Sequence, residues 1–360
     1  MSEKTTYHIQ PEILVFLRNS SGMSEDDIAK KLRLSKSKYN SIESGGEPIS
    51  QTLLIHLADI YKRPLISFYS SDMAHVPTLP HDYRLNRDKK LSSEVFLAKR
   101  KALYLAEQLK EITGKITSLP IVDTNVPAYN LADIVRELLE IDFDFLKELK
   151  EEPILNYYKS LIEEKFFIPI IEHPLKTNGV RAFSVYGKVC VMVLNESDSK
   201  EVKLFSLFHE FCHLLKRQDG ICTIDITKDN QPAEKYCDQF AAFLLMPENQ
   251  LRSDLTELPI KTLKQVTDIS VKFGVSKMMT IIRMKELNII DDQQFRNLKL
   301  KLEAVQKKGF GRRNWERTYI NRTSRLVLHH FIDSFRKGDL SYTSLSTITG
   351  IKDKYLKKLI

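Results

Sequence analysis

The chain is short of cysteine, glycine and tryptophan, with 4 Cys, 12 Gly and 1 Trp in 360 residues. Cys190, Cys212, Cys222 and Cys237 make no Cys-x-x-Cys pair and sit in no secretory context, so a disulfide framework has no support and a reduced cytosol is expected. No apolar run approaches the ~20 residues that span a bilayer. The opening Met1-Ser2-Glu3-Lys4-Thr5-Thr6-Tyr7 has no apolar signal core. The expectation is a cytoplasmic chain with no membrane partner. Tandem repeats are also absent, which argues against a solenoid. Charge is not scarce: 55 Lys and Arg face 47 Asp and Glu, giving +8 and a pI near 9. That balance leans towards an acidic partner such as nucleic acid, although one basic domain would account for it. The length suggests two or three domains.

The most informative stretch is Ser206-Leu207-Phe208-His209-Glu210-Phe211-Cys212-His213-Leu214-Leu215. His209 and His213 are four apart, so a helix stacks them on one face, where both imidazoles can reach one zinc ion at about 2.0–2.1 Å. Glu210 lies about 100° round the helix, placed to poise a carboxylate over a metal-bound water. This is the His-Glu-x-x-His pattern of metalloproteases, in which zinc acidifies a water and the glutamate takes its proton. No Pro or Gly interrupts 201–219, so the helix is well supported. The bland reading is an amphipathic helix with two incidental histidines. A site needs a third protein ligand, and the run Pro232 to Pro247 offers Glu234, with Asp238 one turn on as an acceptor that orients a ligating histidine. Pro232 suits a first helical turn and Pro247 a stop.

Phe208-His209-Glu210-x-x-His213-Leu214-Leu215, followed by Glu234-x-x-Cys237-Asp238-x-Phe240-Ala241-x-x-Leu244-Leu245-Met246-Pro247, resembles the ImmA/IrrE metallopeptidases. Those proteins usually carry Ala at the place of Cys237, Asn or Asp at Asp238, and Gly at Cys212; no ligand position departs. The resemblance implies a zinc-dependent endopeptidase whose targets include DNA-binding repressors.

Residues Pro11 to about Ser71 read as five short helices. Ser24-Glu25-Asp26-Asp27 is a capping-box start, Ser35 caps the next helix, and Gly45-Gly46 stops it. The layout resembles the helix-turn-helix domain of phage-repressor-type regulators, with Met23, Ile28, Ala29, Leu32, Leu34, Tyr39, Ile42 and Leu57 as core. That resemblance turns Ser35, Lys36, Ser37, Lys38 and Asn40 towards a major groove or its phosphates. Two residues depart from it: Arg33 replaces a turn glycine, and Glu25 puts a carboxylate where a phosphate contact is common. A degenerate helical module for protein contacts is the alternative.

Between these segments, Pro77 and Pro80 punctuate a connector in which Asp82-Tyr83-Arg84 resembles a motif of fused family members. Leu91 to Thr113 reads as a charged helix whose Lys99-Arg100-Lys101 is a solvated face. Asp133 to Glu152 reads as an acidic helix. Three strands are expected over 166–171, 180–186 and 189–194, the last two joined at Tyr186-Gly187-Lys188. A small sheet beside a zinc helix is the zincin layout, whose edge strand can hold an extended peptide. Tyr186, Tyr236 and His173 are open candidates for oxyanion stabilisation, with core packing as the alternative for each. Downstream, Gly274 and Ser276 mark a helix-turn-helix cadence inside the peptidase domain, its Met278, Met279 and Met284 serving as core. Lys307 to Arg317 is the most basic stretch and reads as a linker anchored by Trp315, or as a contact for phosphates and bases. A further helix-turn-helix-like pair surrounds Gly350.

The expectation is an α+β, multi-domain chain: an N-terminal all-α helix-turn-helix bundle at 1–71, a linker with a helix at 72–118, a zincin-like peptidase core with a small sheet at 119–300, and a basic linker with a helical tail at 301–360. His209, His213 and Glu234 would bind Zn²⁺ and Glu210 would activate water. The partner would be a protein substrate, namely a repressor, another regulator or a neighbouring toxin. The rival is a non-catalytic regulator or antitoxin-like binder, in which a homodimer reads double-stranded DNA and the zincin fold is scaffold or sensor.

Overall fold

The computed structural model describes residues 6–61, 65–69, 93–149, 151–175, 179–223, 232–255, 260–304 and 315–360. The connector with Asp82-Tyr83-Arg84 and the basic residues 307–314 lie outside them. The chain divides into two compact units, Met1–Lys101 and Ala102–Ile360.

In the first unit, β1 (Thr6–Tyr7) and α1 (Pro11–Asn19) precede α2 (Glu25–Leu32) and α3 (Lys36–Glu43). Next come β2 (Ile49–Ser50), α4 (Gln51–Tyr61) and a 3-10 turn at Leu65–Phe68. Ser24 and Asp27 form the expected capping box, and Ser35 caps α3 through the Lys38 amide. Arg33 takes the left-handed conformation at φ 58°, which glycine adopts most readily. The antiparallel pair Tyr7↔Ile49 adds a short ladder to an otherwise helical bundle. Ile28, Ala29, Leu32, Tyr39, Ile42 and Leu57 are buried together, as the apolar spacing predicts.

The second unit begins within α5 (Ser93–Thr113) and continues through α6 (Ala128–Leu139), α7 (Phe143–Glu148) and α8 (Glu151–Phe166). The acidic stretch expected as one helix is therefore divided among three. Then come β3 (Ile170–His173), β4 (Val180–Val185), β5 (Val191–Asn195), α9 (Lys200–Leu215), β6 (Gly220–Thr223) and α10 (Pro232–Leu245). Helices α11 (Glu248–Ser253), α12 (Leu263–Phe273), α13 (Lys277–Glu286) and α14 (Asp292–Glu303) complete the core region. The tail is α15 (Trp315–Thr323), α16 (Arg325–Lys337), α17 (Tyr342–Thr349) and α18 (Asp353–Leu356).

The first expected strand starts later than its β-branched run suggests. Phe166 still belongs to α8, Phe167 turns at φ 56°, and Pro169 has no N–H for a ladder, so pairing begins at Ile170. Strand order is β3-β5-β4-β6, with β3 parallel to β5 and the other pairs antiparallel. Helix α9 packs on β4, β5 and β6, and α10 packs on α9 and α6. Met284 is buried, and Met278 and Met279 pack against the core, in keeping with a structural role for the Gly274 turn. A Cβ at Gly274 would lie 2.8 Å from Ile154, and φ there is +66°.

Two buried polar contacts fix the helices to the sheet. Glu172 on β3 meets Lys159 of α8 at 3.1 Å and Lys203 of α9 at 2.7 Å. Glu163 of α8 accepts from the Ile170 amide at 3.0 Å and from the α16 cap Ser324 at 2.7 Å. Among the described residues no helix is long and apolar enough to cross a membrane.

Candidate metal centre

Ser199 caps α9, and the helix runs unbroken until Arg217 takes φ 60°. Phe208, Phe211, Cys212 and Leu214 are fully buried, which fixes the rotation of α9 about its axis. Tyr158 meets Phe208 edge-on at 5.0 Å, an arrangement worth about 0.5–1.5 kcal/mol beyond burial. With that rotation set, His209, Glu210 and His213 are also buried, at 2%, 0% and 3% exposure.

On α10, Cys237, Phe240, Ala241 and Leu244 face the core, so Glu234 and Asp238 turn to α9 along the adjoining face. Nε2 of His209 and Nε2 of His213 are 3.2 Å apart. Glu234 brings Oε2 to 3.1 Å from the first and Oε1 to 3.4 Å from the second. A tetrahedral zinc with ligands at 2.0–2.1 Å separates neighbouring ligand atoms by roughly 3.3 Å. These edges match that spacing, and the two-nitrogen, one-carboxylate donor set suits zinc. The residues therefore fit the metal.

Nδ1 of His209 donates to Asp238 Oδ1 at 2.9 Å, which turns Nε2 towards Glu234 and His213. Nδ1 of His213 has no hydrogen-bond partner of good geometry, and the Cys237 thiol lies against that ring. The charges are strongly coupled. Burial works against a charged His209, but hydrogen bonds to Asp238 and Glu234 prevail and hold its pKa well up. Burial would raise Glu234, yet hydrogen bonds from both imidazoles keep its carboxyl below the usual range. A divalent cation can replace the protons that these imidazoles hold.

Glu210 has no counterpart of that kind. Burial pushes its carboxyl up, against the pull of His213 and His209 and the hydrogen bond from Ser184. Ser184 Oγ donates to Oε2 at 2.7 Å, while Oε1 is buried with no protein partner. Gly220, paired with Ser184, closes the other side: a Cβ there would lie 2.5 Å from both Glu210 Oε2 and His213 Cδ2. Ser184 and Gly220 were not singled out by the sequence. The signals were faint: one small hydroxyl inside the apolar strand Val180–Val185, and one glycine opening Gly220–Thr223.

The other sequence-predicted residues lie elsewhere. Tyr236 donates to the Val126 carbonyl at 2.8 Å. Tyr186 is exposed and its amide bonds Asp219, and His173 ends β3, two strands from β4 in the sheet order. Ser35, Lys36, Ser37, Lys38 and Asn40 gather at the start of α3. Lys36 pairs with Asp26 at 3.4 Å, Lys38 pairs with Glu47, and Ser35 and Ser37 hydroxyls are 3.1 Å apart. Asn40 is half-buried, its Oδ1 lacking a partner, and Glu25 stands 4.0 Å from Arg18.

Residues 163–285 match the IrrE N-terminal-like domain of peptidase family M78, a metallopeptidase family, and residues 16–68 match a helix-turn-helix. A search of curated proteins returned no match. The first match contains β3 to α13 and hence every residue of the centre; the second contains α2, α3 and α4. The chain thus carries a segment similar to a helix-turn-helix ahead of one similar to the IrrE N-terminal-like domain.

Proposed function

We propose that this chain is a zinc-dependent endopeptidase that cleaves a partner protein, a transcriptional regulator or repressor being the class its first domain suits best. The observation that carries the reading is the buried convergence of His209, His213 and Glu234 beside a Glu210 carboxyl with one unpartnered oxygen. His209, His213 and Glu234 would hold the ion, with Asp238 fixing the first imidazole. When bound, zinc would supply an acidified water and polarise the scissile carbonyl.

Glu210 handles the proton. Ser184 occupies Oε2, so Oε1 is the atom that takes a proton from the attacking water and returns it to the amine as the C–N bond breaks. Gly220 keeps the space beside that carboxylate clear. An extended substrate segment is best served by β6: β3, at the other edge, has α15 packed against it, and among the described residues no strand pairs with the far side of β6. The domain boundaries proposed for this activity are 1–71, 72–118, 119–300 and 301–360, with a cytoplasmic site of action.

Metal analysis of the purified chain beside Glu234→Ala tests the ligand set, with about one zinc per chain expected in the first and little in the second. Glu210→Gln should retain the metal and stop cleavage of the partner. Cleavage that survives this substitution, or a folded wild type with no affinity for zinc, overturns the reading and leaves a non-catalytic regulator.

A further inference from the structure

The net positive charge is not spread along the chain. Residues 315–360 hold 9 Lys and Arg against 4 Asp and Glu, a surplus of +5 in 46 residues, while residues 1–314 hold 46 against 43, or +3. The helix-turn-helix domain itself, residues 1–71, has 9 against 8. The element that the fold marks as a nucleic-acid reader is therefore almost neutral.

One local design recurs: a helix, a left-handed residue, one apolar residue, and a cap opening the next helix. Besides Glu140-Ile141-Asp142, it appears as Arg33-Leu34-Ser35, Gly274-Val275-Ser276 and Gly350-Ile351-Lys352. The second copy is core, since Arg283 of α13 is buried and donates to the Met246 carbonyl at 3.1 Å. The third is on the surface. Lys352, Lys354, Lys357 and Lys358 on and around α18 are all exposed, while Ile351 and Leu356 are buried and hold that turn down. The module is seated firmly: Ser324 bonds Glu163, and Arg322 meets Glu196 at 2.6 Å.

We propose that residues 315–360 form a second, phosphate-directed nucleic-acid surface, centred on Lys352, Lys354, Lys357 and Lys358, which supplies most of the chain's affinity for duplex DNA. Two of these lysines touch carboxylates, Lys357 with Asp353 at 2.9 Å and Lys358 with Glu316 at 3.8 Å, but both pairs are solvated and yield readily to a denser anion. A duplex has one charge per ~1.7 Å of axis and rewards such a surplus by releasing counterions. A lipid surface fits less well, because interfacial helices need a displayed apolar face. In 315–360 only Trp315 and Ile360 stand among the exposed large apolar side chains.

The test is fluorescence anisotropy of the full chain with a labelled 25-base-pair duplex of arbitrary sequence, titrated over ~50–200 mM salt. Replacing Lys352, Lys354, Lys357 and Lys358 together by Gln should weaken binding at least tenfold and flatten the salt slope by about 3–4. Lys36→Gln with Lys38→Gln should change the slope by less than about 2. Far-UV circular dichroism checks the fold. Arg336→Gln with Lys337→Gln, both exposed, is a second variant of the same sign, and it keeps the question open to refutation if the quadruple variant misfolds. Undiminished binding in the carboxy-terminal variants overturns the proposal, as does loss confined to the Lys36 and Lys38 variant. So does a wild type that binds anionic vesicles or an acidic protein but no duplex.

Discussion

Helices α9 and α10 and helices α2 and α3 are built by similar local rules and use charge in opposite ways. Ser199 caps α9 as Ser24 and Ser35 cap α2 and α3. On α9 and α10 the titratable groups point at one another: His209, His213 and Glu234 lie within 4.8 Å, two of them nearly inaccessible to water. On α3 each lysine has a solvated carboxylate of its own, Asp26 for Lys36 and Glu47 for Lys38. Interior charges must be matched by partners within the fold, because solvent cannot stand in for a missing one. Surface charges are exchangeable, and their sum matters more than any pair. The difference separates the residues that define chemistry from those that tune association.

The largest expected effect probes that rule away from the centre itself. Glu172→Gln removes the carboxylate that both buried lysines, Lys159 and Lys203, contact directly, so the second unit should lose about 3–5 kcal/mol in urea unfolding. Asp26→Asn, which unpairs the exposed Lys36, should change unfolding by no more than about 1 kcal/mol. Equal effects would break the contrast. The pH dependence has a fixed sign. Burial works to raise Glu172, but Lys159 and Lys203 depress it to about 2, against about 4.3 for an unfolded glutamate. Its stabilisation is complete above the unfolded value and disappears as pH falls through about 2. The wild type should therefore lose stability between about pH 5 and 2 more steeply than Glu172→Gln.

Next comes the glycine that no motif marked. Gly220→Val would drive a side chain into Glu210 Oε2 and the His213 ring, each 2.5 Å from a Cβ. Overpacking of this kind costs about 1–3 kcal/mol, and thermal melts should show it together with a drop in bound zinc. Unchanged zinc content would place the strain elsewhere. Asp238→Ala is milder: His209 keeps Nε2 but loses the bond that orients it, and zinc affinity should fall about 10–100-fold in competition with a chelator. No change would make Asp238 an incidental surface carboxylate.

The centre was largely legible because its information is local. The four-residue spacing of His209 and His213 follows from helix geometry, and Glu234 and Asp238 recur one turn apart between two prolines. Ser184, Gly220 and Glu172 were not legible, since each acts through a residue brought near only by the sheet. The same limit hid β6 and displaced β3: no local pattern says that Phe167 turns or that Gly220 pairs with Ser184. In the first domain the sequence placed the caps and the core, but charge balance depends on which carboxylates fold back. Asp26 reaches Lys36 only once the turn at Arg33 is formed, and Glu47 reaches Lys38 only once α3 and the turn at Gly46 are formed.

That turn gives the smallest and most local expectation. Arg33 holds φ 58°, a conformation costing a non-glycine residue roughly 1–2 kcal/mol. Arg33→Gly removes that strain but adds chain entropy to the unfolded state, an opposing cost of about 0.5–1 kcal/mol. The net should be a stabilisation of the first domain by no more than about 1 kcal/mol, with duplex binding almost unchanged because one cation is lost from a nearly neutral surface. A marked drop in stability would mean that the exposed Arg33 side chain, and not merely its backbone, supports the turn. A marked drop in duplex affinity would return the reading of nucleic acid to α3. The contrast between interior and surface charge would then have to be drawn inside the first domain.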